Sequence, residues 1–224
     1  MESSVKHCIL NASNGYGWYP NGTQRLKRSL IYYGFNGDIL AYETWPNMLF
    51  DINNPYNVKP SAFMEALGLG YTHILWLDCS VWAIRDPNPI FDEINEKGYY
   101  FWSSGYNCAQ VCSDACLDYF GVKRNDAEKM PDCSTSMFGL NLDNPTAKEF
   151  LRLWLLAAQE GAFNGSRLHD NQSQDPRFLF HRQDQSAASI ILNKLGMKLT
   201  PPGVYSEYYT ENPNKSTIFL MRGM

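Results

Sequence analysis

The chain of 224 residues has no basic run denser than Arg25-Leu26-Lys27-Arg28, and its formal charge is −4. A nucleic-acid surface needs clustered Lys and Arg to offset phosphate charge, so no nucleic-acid partner is expected. Long apolar runs are missing as well: no window approaches the roughly 20 apolar residues of a membrane span. Residues 1–14 lack the basic start and apolar segment of a secretory signal. The expectation is a soluble, cytoplasmic chain with no transmembrane segment. Nucleotide and hydrolase signatures are absent too: there is no G-x-x-x-x-G-K-[ST], no G-x-G-x-x-G and no G-x-S-x-G, and the four histidines form no H-E-x-x-H pair. P-loop, dinucleotide, serine-hydrolase and zinc-hydrolase chemistry are thereby set aside. Of six cysteines, Cys108, Cys112 and Cys116 repeat every four residues with Cys133 nearby, a spacing that fits no common zinc site. Unpaired buried thiols, one disulfide and a metal all stay open.

What is present is a core-forming chain, 44% hydrophobic, long enough for one domain spanning 1–224. Its organising stretch is Tyr71-Thr72-His73-Ile74-Leu75-Trp76-Leu77-Asp78-Cys79-Ser80. The apolar run Ile74–Leu77 has the length and composition of a strand buried on both faces, and it ends at a carboxylate. Ligand crevices of open α/β sheets lie off the carboxyl ends of strands, which places Asp78 where chemistry is done. Upstream, His7–Asn11 reads as a strand opening into Ala12-Ser13-Asn14-Gly15-Tyr16-Gly17, a junction able to offer backbone N–H groups to a ligand. A helix capped by Thr23 and ending near Tyr33, a strand Asp38–Tyr42, and a helix opening at Val58-Lys59-Pro60 follow. Strand and helix alternate, as in a doubly wound α/β half. Tyr99–Trp102 and Ser134–Leu142 read as further strands, and Asn144-Pro145 opens a long helix. Residues 161–177 read as a loop with the length of a lid. Asp184 begins a helix with Ala187, Ile191 and Leu195 on its buried face. Thr217–Met221 reads as a final strand.

Ile74-Leu75-Trp76-Leu77-Asp78-Cys79-Ser80 resembles the metal-binding corner of GT-A fold glycosyltransferases. Ser134-Thr135-Ser136-Met137-Phe138-Gly139-Leu140-Asn141-Leu142 resembles the small-residue strand beneath their donor sugar, and Asp184-Gln185-Ser186 resembles the Asp-Gln helix start of several such families. With Lys59-Pro60 and His181-Arg182, the order of motifs is similar to small single-domain glycosyltransferases of large algal viruses. The resemblance implies a three-layer α/β/α fold, Rossmann-like, with a mostly parallel central sheet. It also implies transfer from a nucleotide diphosphate sugar, a UDP-sugar by likeness, to a glycan or glycoprotein acceptor. Mn2+ or Mg2+ would sit on Asp78 and Ser80, a DxD-like motif in which Ser80 supplies a neutral oxygen where the family has a carboxylate. Hard cations prefer anionic oxygens, so the substitution weakens the site.

Inverting transfer needs a carboxylate within reach of the acceptor hydroxyl, and Asp184 is the candidate, with His181 and Arg182 to orient it or meet phosphate. A helix-capping role for Asp184 is the competing assignment. Nucleotide contacts are expected from Asn11, Ser13, Asn14, Gly15, Arg25, Lys59 and Asp78. Donor-sugar or acceptor contacts are expected from Trp82, Trp102, Ser136 and Gln185. Asp114 and Asp132 are reserve bases. Two other readings share the fold: a nucleotidyltransferase making the nucleotide sugar, disfavoured by the lack of a Gly- and Lys-rich N-terminal signature, and a non-catalytic carbohydrate-binding domain with a degenerate metal site.

Overall fold

The computed structural model describes residues 6–13, 15–43, 55–164 and 173–222. In chain order the elements are β1 (His7–Ala12), α1 (Tyr19–Tyr32), β2 (Asp38–Tyr42), α2 (Val58–Gly68), β3 (His73–Leu77), β4 (Val81–Ala83), α3 (Pro89–Lys97), β5 (Tyr99–Asn107), α4 (Cys108–Val111), α5 (Asp114–Tyr119), α6 (Arg124–Ala127), β6 (Pro131–Asn141), α7 (Pro145–Gln159), α8 (Asp184–Lys194), β7 (Ser206–Tyr208) and β8 (Phe219–Met221). Asn14 and residues 165–172, the middle of the expected lid loop, lie outside the described residues.

Five strands form the central sheet in the order β2-β1-β3-β6-β5. β1 runs parallel to β2 and β3, whereas β6 is antiparallel to both β3 and β5. The sheet is therefore mixed: four strands share a direction and β6, inserted between β3 and β5, opposes them. The reversed strand enters from the carboxyl end of β3, so its first residues lie on the side where β3 finishes. The amide of Asp78 continues the pairing by donating to the Ser136 carbonyl at 2.8 Å.

Every residue of β3 is buried, and its side chains alternate between two cores as strand geometry requires. Ile74 and Trp76 join the core beneath α2, α7 and α8 with Phe63, Phe138, Phe150, Trp154 and Ile191. Leu75 and Leu77 join the opposite core with Leu26 and Leu30 of α1, Ile90 and Ile94 of α3, and Phe219 of β8. Two covered faces make three layers. Continuing the alternation carries Asp78 to the side of α2 and α8, where Lys59 and Asp184 reside.

Of two helix start signals, one departs from expectation. α1 begins at Tyr19 with Pro20 in its first turn, so Thr23 lies inside the helix, buried, and donates its hydroxyl to Asn11 Oδ1 at 2.7 Å. α7 starts as expected, with Asn144 Oδ1 accepting from the Thr146 and Ala147 amides. A second sheet, β4-β8-β7, braces the turn that follows Asp78. The six cysteines are all free and buried. The four-residue repeat of Cys108, Cys112 and Cys116 is interrupted, because Cys112 and Ser113 are extended between α4 and α5.

Candidate active site

The carboxyl end of β3, the first turn of α2, the start of α8 and the middle of β6 meet at one point. Lys59 Nζ lies 3.0 Å from Asp184 Oδ2 and 3.4 Å from Asp78 Oδ1. It also donates to the Thr135 carbonyl at 2.9 Å and to Thr135 Oγ1 at 3.2 Å. Thr135 Oγ1 in turn donates to Asp184 Oδ2 at 3.0 Å, and Trp76 Nε1 donates to Asp78 Oδ1 at 2.6 Å. A single ammonium thus bridges two carboxylates that are over a hundred positions apart in the chain. Burial works against the charge on Lys59, but Asp184 and Asp78 outweigh it and its pKa is raised. Burial also raises the pKa of Asp78, against the opposing pull of Lys59 and the Trp76 indole. The side chains differ in access: Asp78 is 33% exposed and Asp184 is 7% exposed, so the cluster opens to solvent on the Asp78 side.

Asp184 does not cap its helix. Gln183 occupies the cap position and makes no capping bond, and its φ of 46° and ψ of −109° form a backbone state that non-glycine residues rarely adopt. Such strain persists only when surroundings over-determine it, and here it delivers Asp184 to Lys59.

Beside this cluster Gln185 Oε1 accepts the Thr135 amide at 3.4 Å, while its Nε2 donates to Asp132 Oδ2 at 2.7 Å. Asp132 is fully buried, receives the hydroxyls of Ser104 and Ser189 as well, and is pushed up to about 7 by its burial. Sequence reasoning held Asp132 only in reserve. The Pro131-Asp132-Cys133 entry to a strand is the only signal it gave, because the partners arrive from distant segments.

The other expected residues are distributed as follows. Ser136 lies within β6, its Oγ 2.7 Å from Ser134 Oγ. Asn11 is fully buried and spends its amide on the Leu77 carbonyl at 2.7 Å, tying β1 to the end of β3. Ser13, at the exit of β1, is buried with its hydroxyl unpartnered among the described residues. Gly15 and Gly17 hold positive φ, 75° and 55°, in the loop that follows. Arg25 donates to the carbonyls of Ser80 at 2.9 Å, Cys79 at 3.4 Å and Arg222 at 3.3 Å, and stacks 4.2 Å over the Trp82 ring. It therefore pins the turn after Asp78 to the second sheet, with Trp82 as its platform. Trp102 is fully buried in the core and is not brought to the site. His181 is buried, and its Nδ1 accepts the Ser113 amide at 3.2 Å; Arg182 is exposed, its guanidinium 5.2 Å over the Phe180 ring.

Asp78 and Ser80, expected to hold a divalent cation, do not form a donor set that fits one. The Asp78 oxygen that faces the cluster already receives the indole and the ammonium, and Ser80 adds only a neutral oxygen. Among the described residues, no three His, Cys, Asp or Glu side chains gather closely enough to ligate a metal.

The fold is similar to that of a glycosyltransferase involved in the glycosylation of the major capsid of PBCV-1, with a TM-score of 0.56 and 12% identity over 96% of this chain and 92% of that one. It is likewise similar to mouse xyloside xylosyltransferase 1 in its apo form, with a TM-score of 0.57 and 9% identity over 97% of each chain. A third likeness is to the WbbM bifunctional glycosyltransferase, with a TM-score of 0.53 and 10% identity over 99% of this chain but 46% of that one. No protein-family model and no curated protein matches the chain. The chain has the GT-A-like α/β fold of glycosyltransferases, with a mixed central sheet. Among the described residues, no helix is long and apolar enough to cross a membrane.

Proposed function

We propose that the chain is a glycosyltransferase that moves a sugar from a nucleotide diphosphate sugar, a UDP-sugar by motif resemblance, to a hydroxyl of a glycan or glycoprotein. The carrying observation is the convergence of Asp78, Lys59 and Asp184 at the carboxyl end of β3 in this fold. Ligand crevices of α/β sheets lie there, and a cation flanked by carboxylates suits a substrate that carries both phosphate and hydroxyl groups. The Ser13 hydroxyl, unpartnered among the described residues, and the Gly15 backbone offer nucleoside contacts on the β1 side.

In the reaction, the acceptor O–H loses its proton to Asp184 as oxygen attacks the anomeric carbon, and the bond to the diphosphate breaks with its electron pair going to phosphate. Asp184 is suited to this because Oδ2 is anchored by Lys59 and Thr135 while Oδ1 takes part in neither bond. Direct attack of this kind inverts the anomeric centre. Gln185, held by Asp132, presents its carboxamide beside the donor sugar. The test is a thermal-shift panel of UDP, GDP, CDP and ADP, followed by NMR of the product formed from a UDP-sugar. UDP-selective stabilisation and an inverted product are expected, since a ligand that binds only the native state raises its melting temperature. Equal, negligible shifts with all four nucleotides would sink the assignment.

A further inference from the structure

We propose that the Lys59 ammonium takes the place of a divalent cation in this chain, so that a nucleoside diphosphate is bound, and its departing charge met, without metal. The inference rests on the transferase reading above and adds to it how the phosphate charge is balanced. Two carboxylates with a divalent cation sum to zero charge. Here the Lys59 ammonium stands between two carboxylates, 3.4 Å from Asp78 and 3.0 Å from Asp184, which with it already sum to −1, and Ser80 stands where a third acid would be. A carboxylate at position 80 would deepen that net negative charge facing the diphosphate. Serine at position 80 avoids that added repulsion.

The ammonium is also pre-organised. Asp184 and both oxygens of Thr135 fix it at 2.9–3.2 Å from the buried side. Its longest contact, to Asp78, lies on the side where that carboxylate is a third exposed. A phosphate oxygen approaching from solvent meets the ammonium there, at no cost in reordering the lysine. Asp78, free of metal, is left to accept hydrogen bonds from hydroxyls of the ribose or sugar. Throughout transfer Lys59 keeps its proton: the electron pair of the broken C–O bond stays on the diphosphate, and the acceptor proton goes to Asp184.

The test is calorimetric titration of UDP into the wild-type protein, in EDTA and again in Mn2+, with electron paramagnetic resonance of Mn2+ added alone. Affinities within about threefold of one another, and a free Mn2+ signal undiminished by protein, are expected. Lys59→Ala should weaken UDP binding in EDTA at least about tenfold, and Lys59→Arg should restore most of it. Ser80→Asp should make UDP binding respond to Mn2+, and its failure to do so would overturn the charge-balance argument. Wild-type UDP binding that requires Mn2+ overturns the inference while leaving the transferase assignment intact. Absence of binding by any nucleoside diphosphate, with or without Mn2+, overturns that assignment and this inference with it. The wild-type comparison decides the matter even if Lys59→Ala does not fold.

Discussion

Removing the ammonium without changing side-chain bulk, in Lys59→Met, isolates the electrostatics of the cluster. With Nζ 3.4 Å from one carboxylate and 3.0 Å from the other, the two anionic oxygens can be no farther apart than the sum of those distances, and at an effective dielectric of about 20 their repulsion is at least roughly 2.5 kcal/mol. Deleting one partner of a buried ion pair typically costs about 3–5 kcal/mol. Asp78 is a third exposed, so solvent screening argues for the lower end of that range. The expected loss is about 3 kcal/mol at pH 7.5, measured by urea unfolding followed by tryptophan fluorescence. Burial already raises the Asp78 pKa, and losing Lys59 raises it further, so protonation of the carboxyl relieves the repulsion as pH falls. At pH 4.5 the deficit should therefore shrink to about 1 kcal/mol. Adding Asp184→Asn to Lys59→Met should recover about 2 kcal/mol, a coupling that unlinked sites would not show. The same deficit at both pH values, together with strict additivity in the double variant, would refute the picture of one cation shared by two acids.

The remaining expectations are independent of one another. The Asp132 carboxyl is pushed up to about 7 in the folded chain, against about 3.9 when unfolded. The folded state thus binds the extra proton between those values, and stability from this group falls as pH rises from about 4 to about 7. Asp132→Asn should abolish that fall, worth at most about 4 kcal/mol; a melting-temperature difference from wild type that is flat between pH 4 and 8 would contradict it. Asp184→Asn should lower kcat at least about a hundredfold while leaving UDP affinity within about threefold; ordinary turnover would strip Asp184 of its role as base. Asn11→Leu should cost about 2–4 kcal/mol in urea unfolding, because the Leu77 carbonyl loses the Asn11 amide and the Thr23 hydroxyl loses its oxygen acceptor inside the core. Gly22→Ala should cost about 2 kcal/mol, since a Cβ there collides with the Cys79 carbonyl and pushes α1 off the turn after Asp78.

The parts of the site that sequence reveals are those carried by local pattern. The apolar run ending at Asp78 marked a buried strand, Val58-Lys59-Pro60 marked the start of α2, and Asp184 fell at the first residue of α8. Period and punctuation are properties of one segment, and they survive folding. What is not legible is partnership across segments. Nothing near Lys59 announces that its ammonium meets both Asp78 and Asp184, and nothing near Asp132 announces Ser104, Ser189 and Gln185. Four of the five central strands share a direction, in line with the mostly parallel sheet implied by resemblance, and β6 alone runs against them. Strands of three residues, β4 and β7, lie below the length at which alternation is recognisable. In sequence Arg25 and Trp82 point to ligand contacts, because strand ends and nearby cations look alike for either use. The structure gives them to each other.

The insertion of β6 between β3 and β5 also governs how the chain comes into being. A ribosome releases β1, β2 and β3 well before residues 131–141, so one flank of β3 waits with unpaired amides and the apolar side chains of Ile74–Leu77. An open, hydrophobic strand margin of that kind is a template for pairing between chains. Nascent molecules stalled or truncated ahead of β6 should therefore clump, whereas those that pass it seal the sheet from within.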